Sequence, residues 1–159
     1  MPHAPCKFIS EKEKMKKVIT FGTYDLLHIG HVRILQRAAE LGDKLIVGVS
    51  CSDLNRSKKG RAPVYTTEDR MAILSALSCV DEVFVEKSLE AKGDYIKEYG
   101  ADILVMGDDW EGRFDEFNSI CSVVYLPRTT GISTSKLIAD ISDINPTPES
   151  HASDEKGAE

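Results

Sequence analysis

The stretch that decides the fold is residues 16–42, KKVITFGTYDLLHIGHVRILQRAAELG. Its first seven residues, KKVITFG, predict a strand, and apolar residues recur at helical spacing from Gly30 to Gly42. Between these two patterns lies the segment TFGTYDLLHIGH. Ligands of open parallel sheets bind where a strand ends and a helix begins, and helix N-termini attract phosphate. The stretch therefore predicts a strand, a phosphate-binding turn and a helix.

The rest of the chain alternates between strand and helix patterns. Further strands are predicted at 44–51, 81–86, 101–107 and 122–127, further helices at 66–78, 89–100 and 133–142, and a polar loop at 52–66. Strands that alternate with helices imply right-handed crossovers and a parallel sheet. We therefore predict an α/β fold, a Rossmann-like doubly wound parallel sheet in a single domain at 15–142. A flexible N-terminal extension at 1–14 and a disordered acidic tail at 143–159 complete the prediction.

Composition narrows the classes of function. The chain has 159 residues and a formal net charge of −6, which argues against a nucleic-acid partner because nucleic-acid-binding surfaces are basic. No apolar run reaches the ~18 residues of a membrane span. The cysteines, at positions 6, 51, 79 and 121, form no CxxC pair and so indicate neither a zinc site nor a disulfide framework. We expect a cytoplasmic protein with reduced thiols.

His28 and His31 bracket Gly30 at the start of the first predicted helix. They could cap or pack locally, ligate a metal, or contact a phosphate. A metal site needs three or four ligands, and the other histidines, His3 and His151, lie in the predicted tails. The phosphate interpretation also accounts for the glycine, which lets the backbone approach a ligand. Two imidazoles can then donate hydrogen bonds to phosphoryl oxygens whose charge rises in a transition state.

A second stretch with the same order of strand, turn and helix start is LPRTTGISTSK, residues 126–136. Arg128 offers a planar fork of donors for phosphate. Gly131 permits a tight turn, and Ser133 and Thr134 place hydroxyls at the next helix N-terminus. The alternative is a plainly capped helix without a ligand.

A third stretch, RSKKGR at 56–61, has four basic residues in six and no acidic one. Most basic runs of this kind are solvated loops. This one follows the second predicted strand, at the edge of the sheet where ligands bind, so it can instead fold over an anionic substrate.

These three stretches, with VMGDDWEGRFD at 105–115, resemble the cytidylyltransferase family of the HxGH nucleotidyltransferase superfamily. The resemblance runs from about Lys16 to Ile141. It implies a reaction in which CTP and a phosphorylated alcohol give a CDP-alcohol and pyrophosphate, with Mg²⁺ accompanying CTP. The stretch at 105–115 is similar to the branch that acts on sn-glycerol 3-phosphate, which implies CDP-glycerol as the product.

The resemblance also implies roles for individual residues. The catalytic set would be His28, His31, Lys58 and Arg128. The nucleotide-binding set would be Thr23, Tyr24, Gly30, Lys59, Asp109, Thr129, Thr130, Gly131, Ile132, Ser133, Thr134 and Ser135. The substrate-binding set would be Asp25, Lys58, Lys92 and Trp110, and no residue is implied as a metal ligand. The basic loop is one residue longer than in the family, which leaves open whether Lys58, Lys59 or Arg61 contacts the reacting phosphates.

Two departures from the family affect the acceptor and the subunit contact. The family has an arginine where this chain has Ser78 and a tryptophan where it has Leu89. The resemblance implies a homodimer all the same. Alternatives are another acceptor (ribitol phosphate, phosphoethanolamine or a phosphonate), an adenylyltransferase, or a catalytically inactive regulatory protein. The motifs are also similar to those of class I aminoacyl-tRNA synthetases, but a chain this short and acidic has no room for a tRNA-binding domain.

Overall fold

The computed structural model describes residues 14–144, without the side chains of Lys58 and Lys59. The predicted extension and tail therefore lie almost wholly outside the described residues. The strands are β1 (Lys17–Gly22), β2 (Lys44–Ser50), β3 (Glu82–Glu86), β4 (Ile103–Gly107) and β5 (Ser122–Leu126). The helices are α1 (Ile29–Ala39), α2 (Ser52–Lys59), α3 (Thr67–Ser75), α4 (Lys92–Tyr99) and α5 (Thr134–Ile144). Two short 3-10 helices, Asp108–Trp110 and Asp115–Ser119, lie between β4 and β5.

The five strands form one parallel sheet in the order β3-β2-β1-β4-β5. The chain builds outward from β1 to β3, then crosses to the other side of β1 with β4. The segments that follow β1 and β4 therefore leave the sheet in opposite directions, and such a switch point opens a crevice at the carboxyl ends of the strands. This topology confirms the predicted Rossmann-like sheet in a single domain.

Alternate residues of the central strands point to two hydrophobic cores, one on each face of the sheet. Val18 and Leu45 face the layer of α1 and α3, whereas their neighbours Ile19 and Ile46 face the layer of α4. Both cores are closed to solvent, which explains why β1 and β2 appear in the sequence as continuous apolar runs. Of the described helices, none is long and apolar enough to cross a membrane.

The predicted polar loop at 52–66 is wrong in its first half, which is helix α2. Among the described side chains of this helix Asn55 is the buried one, so the segment lacks the apolar stripe by which an amphipathic helix is recognised. Helix α1 ends at Ala39 rather than at Gly42, and α5 continues to Ile144, two residues beyond its predicted end.

Candidate active site

A cleft of about 830 Å³ lies over the carboxyl ends of the strands, at the switch point beside β1. Its volume is in the range of small-molecule sites. The predicted site residues that line it are Thr23, Tyr24, Asp25, His28, Gly30, His31, Lys92, Asp109, Trp110, Arg128, Thr129, Ile132, Ser133, Thr134 and Ser135. Thr130 and Gly131 belong to the same turn but are outside the lining. Arg61 lines the cleft, while the side chains of Lys58 and Lys59 are outside the description.

The two histidines cap helix α1 reciprocally. The backbone N–H of Gly30 donates to Nδ1 of His28 at 3.0 Å, and the backbone N–H of His28 donates to Nδ1 of His31 at 3.2 Å. This is the capping-box arrangement with imidazoles in both positions. A neutral imidazole that accepts at Nδ1 carries its proton on Nε2. The cap therefore selects, in both rings, the tautomer that can donate from Nε2.

The histidine rings also stack, with centroids 3.7 Å apart and planes inclined by 21°. Burial, and to a lesser extent the positive charge of Arg128, lower the pKa of His28 below its ordinary value of 6.5. Two stacked imidazolium rings would repel each other, and protonation of Nδ1 would break the cap. His28 is therefore neutral at pH 7, which suits a hydrogen-bond donor rather than a fixed charge.

The turn between β1 and α1 has an unusual backbone. Tyr24 and Leu26 have φ angles of 52° and 47°, in the left-handed region that costs non-glycine residues on the order of 1–3 kcal/mol each. Tyr24 is nonetheless buried, and burial raises the pKa of its hydroxyl to about 12. A Cβ on Gly22 would lie 2.8 Å from the Tyr24 ring, and one on Gly30 would lie 2.8 Å from the His28 ring. Close packing thus explains both glycines.

Asp25 connects this strained turn to the neighbouring segments through hydrogen bonds. Its carboxylate accepts backbone N–H groups from Leu26 at 3.1 Å, Val64 at 2.7 Å and Tyr65 at 3.0 Å. Its backbone carbonyl accepts the hydroxyl of Thr134, at the start of α5, at 3.0 Å. Asp25 therefore joins the turn to α5 and to the segment that brings Arg61 to the cleft. Its predicted contact with the acceptor stays a prediction.

Arg70 is a fully buried clamp behind the site, and sequence reasoning missed it. Its guanidinium donates to the carbonyls of Thr23 and Ser50 at 2.8 Å each and to that of Tyr65 at 3.3 Å. Burial lowers the pKa of Arg70, and the Asp25 carboxylate opposes this shift. The ends of β1 and β2 are thereby tied together. An arginine in a helical sequence normally faces solvent, so no local pattern distinguishes this one.

Asn55 is a second residue that sequence reasoning missed. It lines the cleft from α2, where its carbonyl accepts the Thr23 hydroxyl at 2.8 Å. Its amide donates to the carbonyls of Ser50 and Cys51 at 3.1 Å each. The predicted nucleotide residue Thr23 is thus fixed by a buried amide.

Residues 126–136, the second stretch of strand, turn and helix start, form another wall of the cleft beside the histidines. Arg128 follows β5 with 58% of its side chain exposed, and its Nη1 lies 3.8 Å from Oδ2 of Asp109. Gly131 has a φ of 82°, which lets the chain turn sharply before α5. The Ser133 hydroxyl then accepts the backbone N–H of Lys136 at 3.1 Å. This wall presents a guanidinium and a helix N-terminus to the cleft, and both suit an anion.

Lys92 lines the cleft and is part of a buried ion pair. Its Nζ contacts Oε1 and Oε2 of Glu86 at 2.9 and 3.1 Å, and it lies 4.6 Å from the centroid of the Phe21 ring. The sequence predicted Lys92 as an acceptor contact but gave no indication of Glu86. The two are six residues apart, at the end of β3 and the start of α4.

The described residues of the cleft form no metal cage of their own. Among residues 14–144, no three His, Cys, Asp or Glu side chains converge to hold a metal ion. The Asp25 carboxylate is engaged by backbone N–H groups and that of Glu86 by Lys92. Any divalent cation here would need most of its ligands from a substrate or from water.

Comparisons with known proteins agree with this geometry. A family model described as cytidylyltransferase-like matches residues 19–140. The chain is 49% identical over 130 residues to the glycerol-3-phosphate cytidylyltransferase of Bacillus subtilis strain 168, covering 82% of this chain and 100% of the relative. It is 33% identical over 138 residues to the FAD synthase of Pyrococcus horikoshii, covering 80% and 93%. The crystal structure of the lipopolysaccharide core biosynthesis protein from Thermoplasma volcanium GSS1 superposes with a TM-score of 0.63 at 26% identity, covering 73% of this chain and 98% of that one.

Proposed function

The chain belongs to the cytidylyltransferase-like family, and we propose that it transfers CMP from CTP to sn-glycerol 3-phosphate, giving CDP-glycerol and pyrophosphate. One observation carries the chemistry. Two imidazoles that accept backbone N–H groups at Nδ1 lie at a helix N-terminus in the cleft, and a neutral ring that accepts at Nδ1 carries its proton on Nε2. Identity to a glycerol-3-phosphate cytidylyltransferase over that relative's full length supports the choice of substrates.

The reaction needs no covalent intermediate and no strong base. The acceptor phosphate is ionised at neutral pH, and one of its oxygens attacks the α-phosphorus of CTP. The bond from that phosphorus to the bridging oxygen breaks, and pyrophosphate leaves with the electron pair. The protein's task is to position two anions and to stabilise the charge that develops, and positioning alone can supply roughly 7–11 kcal/mol.

Different residues of the cleft stabilise the transition state and offset the charge of the triphosphate. His28 and His31 donate from Nε2 to phosphoryl oxygens whose charge rises in the transition state. Arg128, Arg61 and the N-terminus of α5 offset the charge of the triphosphate. The side chains of Lys58 and Lys59 lie outside the described residues, so their predicted contacts with phosphate stay predictions.

We also propose that Mg²⁺ enters with CTP rather than occupying a preformed cage. Magnesium binds substrate phosphates and water readily and needs only one or two carboxylates from a protein. Among the described carboxylates that line the cleft, Asp109 has 44% of its side chain exposed. Asp109 would therefore hold the hydrated ion, which would neutralise part of the triphosphate charge.

A homodimer and a cytoplasmic location are further parts of the proposal. Val64, Ile141 and Ile144 are large exposed apolar side chains of the kind that subunit contacts cover. The described cysteines, Cys51, Cys79 and Cys121, are free thiols, as expected in a reducing compartment. Light scattering tests the dimer, and a species of only 17.6 kDa at working concentration would contradict it.

The similarity to FAD synthase makes adenylyl transfer the second candidate. The test is a matrix of kcat/KM values for CTP and ATP against glycerol 3-phosphate, ribitol 5-phosphate and phosphoethanolamine, measured by pyrophosphate release. We expect CTP with glycerol 3-phosphate to be the best pair. Equal use of ATP would refute the nucleotide assignment, and an acceptor better by tenfold, about 1.4 kcal/mol, would refute the acceptor. Absence of CTP binding by calorimetry would favour an inactive regulatory protein.

A further inference from the structure

Residues 108–114, which we call the wall segment, follow β4 and carry Asp109, Trp110 and Phe114 into the lining of the cleft. None of these seven residues is buried. Hydrogen bonds inside the segment are local, such as the one from the Arg113 N–H to the Trp110 carbonyl at 2.9 Å. A segment with few buried contacts opens easily unless contacts from outside hold it. The position of these cleft residues therefore depends on how the wall segment is attached to the rest of the protein.

Tyr125 attaches the wall segment to β5. It pairs with Met106 across the sheet, so it lies beside the point where the chain leaves β4. Its hydroxyl accepts the backbone N–H of Phe114 at 3.0 Å and donates to Oδ1 of Asp115 at 2.8 Å. Burial, and to a smaller extent Asp115, raise the pKa of Tyr125, so the hydroxyl keeps the proton that it donates. One hydroxyl thus anchors the end of the wall segment and the residue that follows it.

Aromatic contacts connect this anchor to the cleft. The ring of Phe114 packs, with that of Tyr125, against the core on the α4 face of the sheet. Its centroid lies 5.6 Å from that of the Trp110 ring. Tyr125 and Asp115 themselves are outside the lining of the cleft. They can therefore affect a substrate only through the residues that they hold.

The other polar attachment described for the wall segment is weak. Asp109 and Arg128 are 3.8 Å apart, and 44% and 58% of their side chains are exposed. Exposed ion pairs of this kind hold a geometry poorly. Arg128 follows the same strand that carries Tyr125, so the anchor on Tyr125 sets the spacing between Asp109 and Arg128. The proposed function assigns both of these residues to the triphosphate and its Mg²⁺.

We propose that Tyr125 and Asp115 are positioning residues for CMP transfer, whose hydrogen bonds hold the wall segment in place before a substrate binds. The kinetic part of this inference rests on the proposed function, whereas the order of the wall segment is a property of the free protein. Without the anchor, CTP would have to order the segment, and its affinity would fall by the fraction of molecules in which the segment is ordered. The histidine donors belong to the turn after β1, so the rate at saturation would be kept.

Kinetics test the anchor through substitutions that remove one group at a time. Tyr125→Phe removes the hydroxyl and keeps the ring, and we expect KM for CTP to rise about tenfold while kcat stays within about twofold. Asp115→Ala should act in the same direction, and its exposed position safeguards folding. Asp115→Asn keeps an oxygen that can accept the Tyr125 hydroxyl, so it should restore most of the affinity.

Fluorescence tests the anchor without any substrate, because Trp110 is the single tryptophan of the chain. Time-resolved anisotropy should show about twice the amplitude of nanosecond motion in Tyr125→Phe and Asp115→Ala as in the wild type. Tyr99→Phe is the matched control. Tyr99 packs against the same core and is outside the cleft, so neither KM nor the anisotropy should change.

Unchanged anisotropy or unchanged KM in Tyr125→Phe would overturn the proposal. So would a fall in kcat at constant KM, which is the result of losing correctly folded protein. An Asp115→Asn variant as impaired as Asp115→Ala would overturn the hydrogen bond as the device that holds the segment. If the wild type forms no CDP-glycerol, the proposed function fails, and the anisotropy still decides whether the anchor holds the wall segment.

Discussion

Two turns of the same design line the cleft, and they differ in how firmly the protein holds them. The first turn, residues 23–28, follows β1 and includes the buried residues Tyr24 and Asp25. The second turn, residues 127–133, follows β5, and neither it nor α5 contains a buried residue. They meet where the Thr134 hydroxyl donates to the Asp25 carbonyl. Each runs from a strand into a helix, but only the first is enclosed by the core.

This difference in burial indicates different tasks for the two turns: transition-state stabilisation for the first and triphosphate binding for the second. Stabilisation of a transition state requires donors that are already fixed when the charge develops. The first turn meets this requirement, since Arg70, Asn55 and the Asp25 carboxylate hold it without any ligand. Binding of a flexible triphosphate tolerates a wall that becomes ordered on contact. We therefore expect ligand-independent order in the first turn and ligand-dependent order in the second.

The largest expected effect is on turnover, from substitutions in the first turn. His28→Asn keeps a side chain that can cap α1 but cannot reach a phosphoryl oxygen as Nε2–H does. We expect kcat to fall by about 100- to 1,000-fold, the loss of one transition-state donor. The melting temperature should change little. Steady-state kinetics with saturating CTP and a thermal melt check both parts.

His28→Ala separates the two roles of the imidazole. It removes the cap as well as the donor, so it should lose the same activity and also about 1 kcal/mol of folding free energy. His31→Ala should likewise lose about 100-fold or more in turnover. Near-normal kcat in His28→Asn would show that capping is the whole role of that histidine.

The next expected effect is on the free energy of unfolding, which should fall more when the buried Arg70 is replaced than when the exposed Arg128 is replaced. Arg70→Met removes the guanidinium donor from the carbonyl of Thr23 and leaves that of Ser50 with the Asn55 amide, and we expect a loss of about 3 kcal/mol in the free energy of unfolding. Arg128→Met, at an exposed position, should change stability by less than about 0.5 kcal/mol while it impairs turnover. Urea denaturation measures both. Equal stability losses would remove the distinction between the two turns.

Hydrogen exchange should show the contrast directly. On addition of CTP, amides of 129–137 should become roughly tenfold more protected, because this segment has few buried contacts when free. Amides around 24–31 should change by less than about twofold. The opposite order of changes would mean that the first turn, and not the second, becomes ordered on binding.

The smallest effect is a titration. Burial and Arg128 lower the pKa of His28, so NMR should give a value below 6.5 for this ring, and Arg128→Met should raise it. Because the folded-state pKa is depressed, the stabilising contribution of neutral His28 is present above pH 6.5 and is lost as pH falls through the folded value. A His28 pKa above 6.5 would contradict the neutral donor.

The sequence predicts the first turn better than it predicts the buried residues that hold this turn in place. Apolar runs fix the five strands, and the pair of histidines around Gly30 locates the cleft, because these signals are local. Arg70 and Asn55 act through contacts with the turn after β1, which is distant from both in sequence, so their neighbouring residues identify neither of them. Helix α2 was missed for a related reason, since a buried amide rather than an apolar stripe holds it.

The most direct test of the account is ³¹P NMR of the protein with CTP, Mg²⁺ and glycerol 3-phosphate, with the His28→Asn variant as a control. We predict that signals of a nucleoside diphosphate ester and of pyrophosphate grow together in equal amounts. Glycerol 3-phosphate should disappear at the same rate, and the variant should show almost no product over the same time. Unchanged substrates with the wild-type protein, or release of CMP or CDP without the ester, would contradict CMP transfer at this cleft.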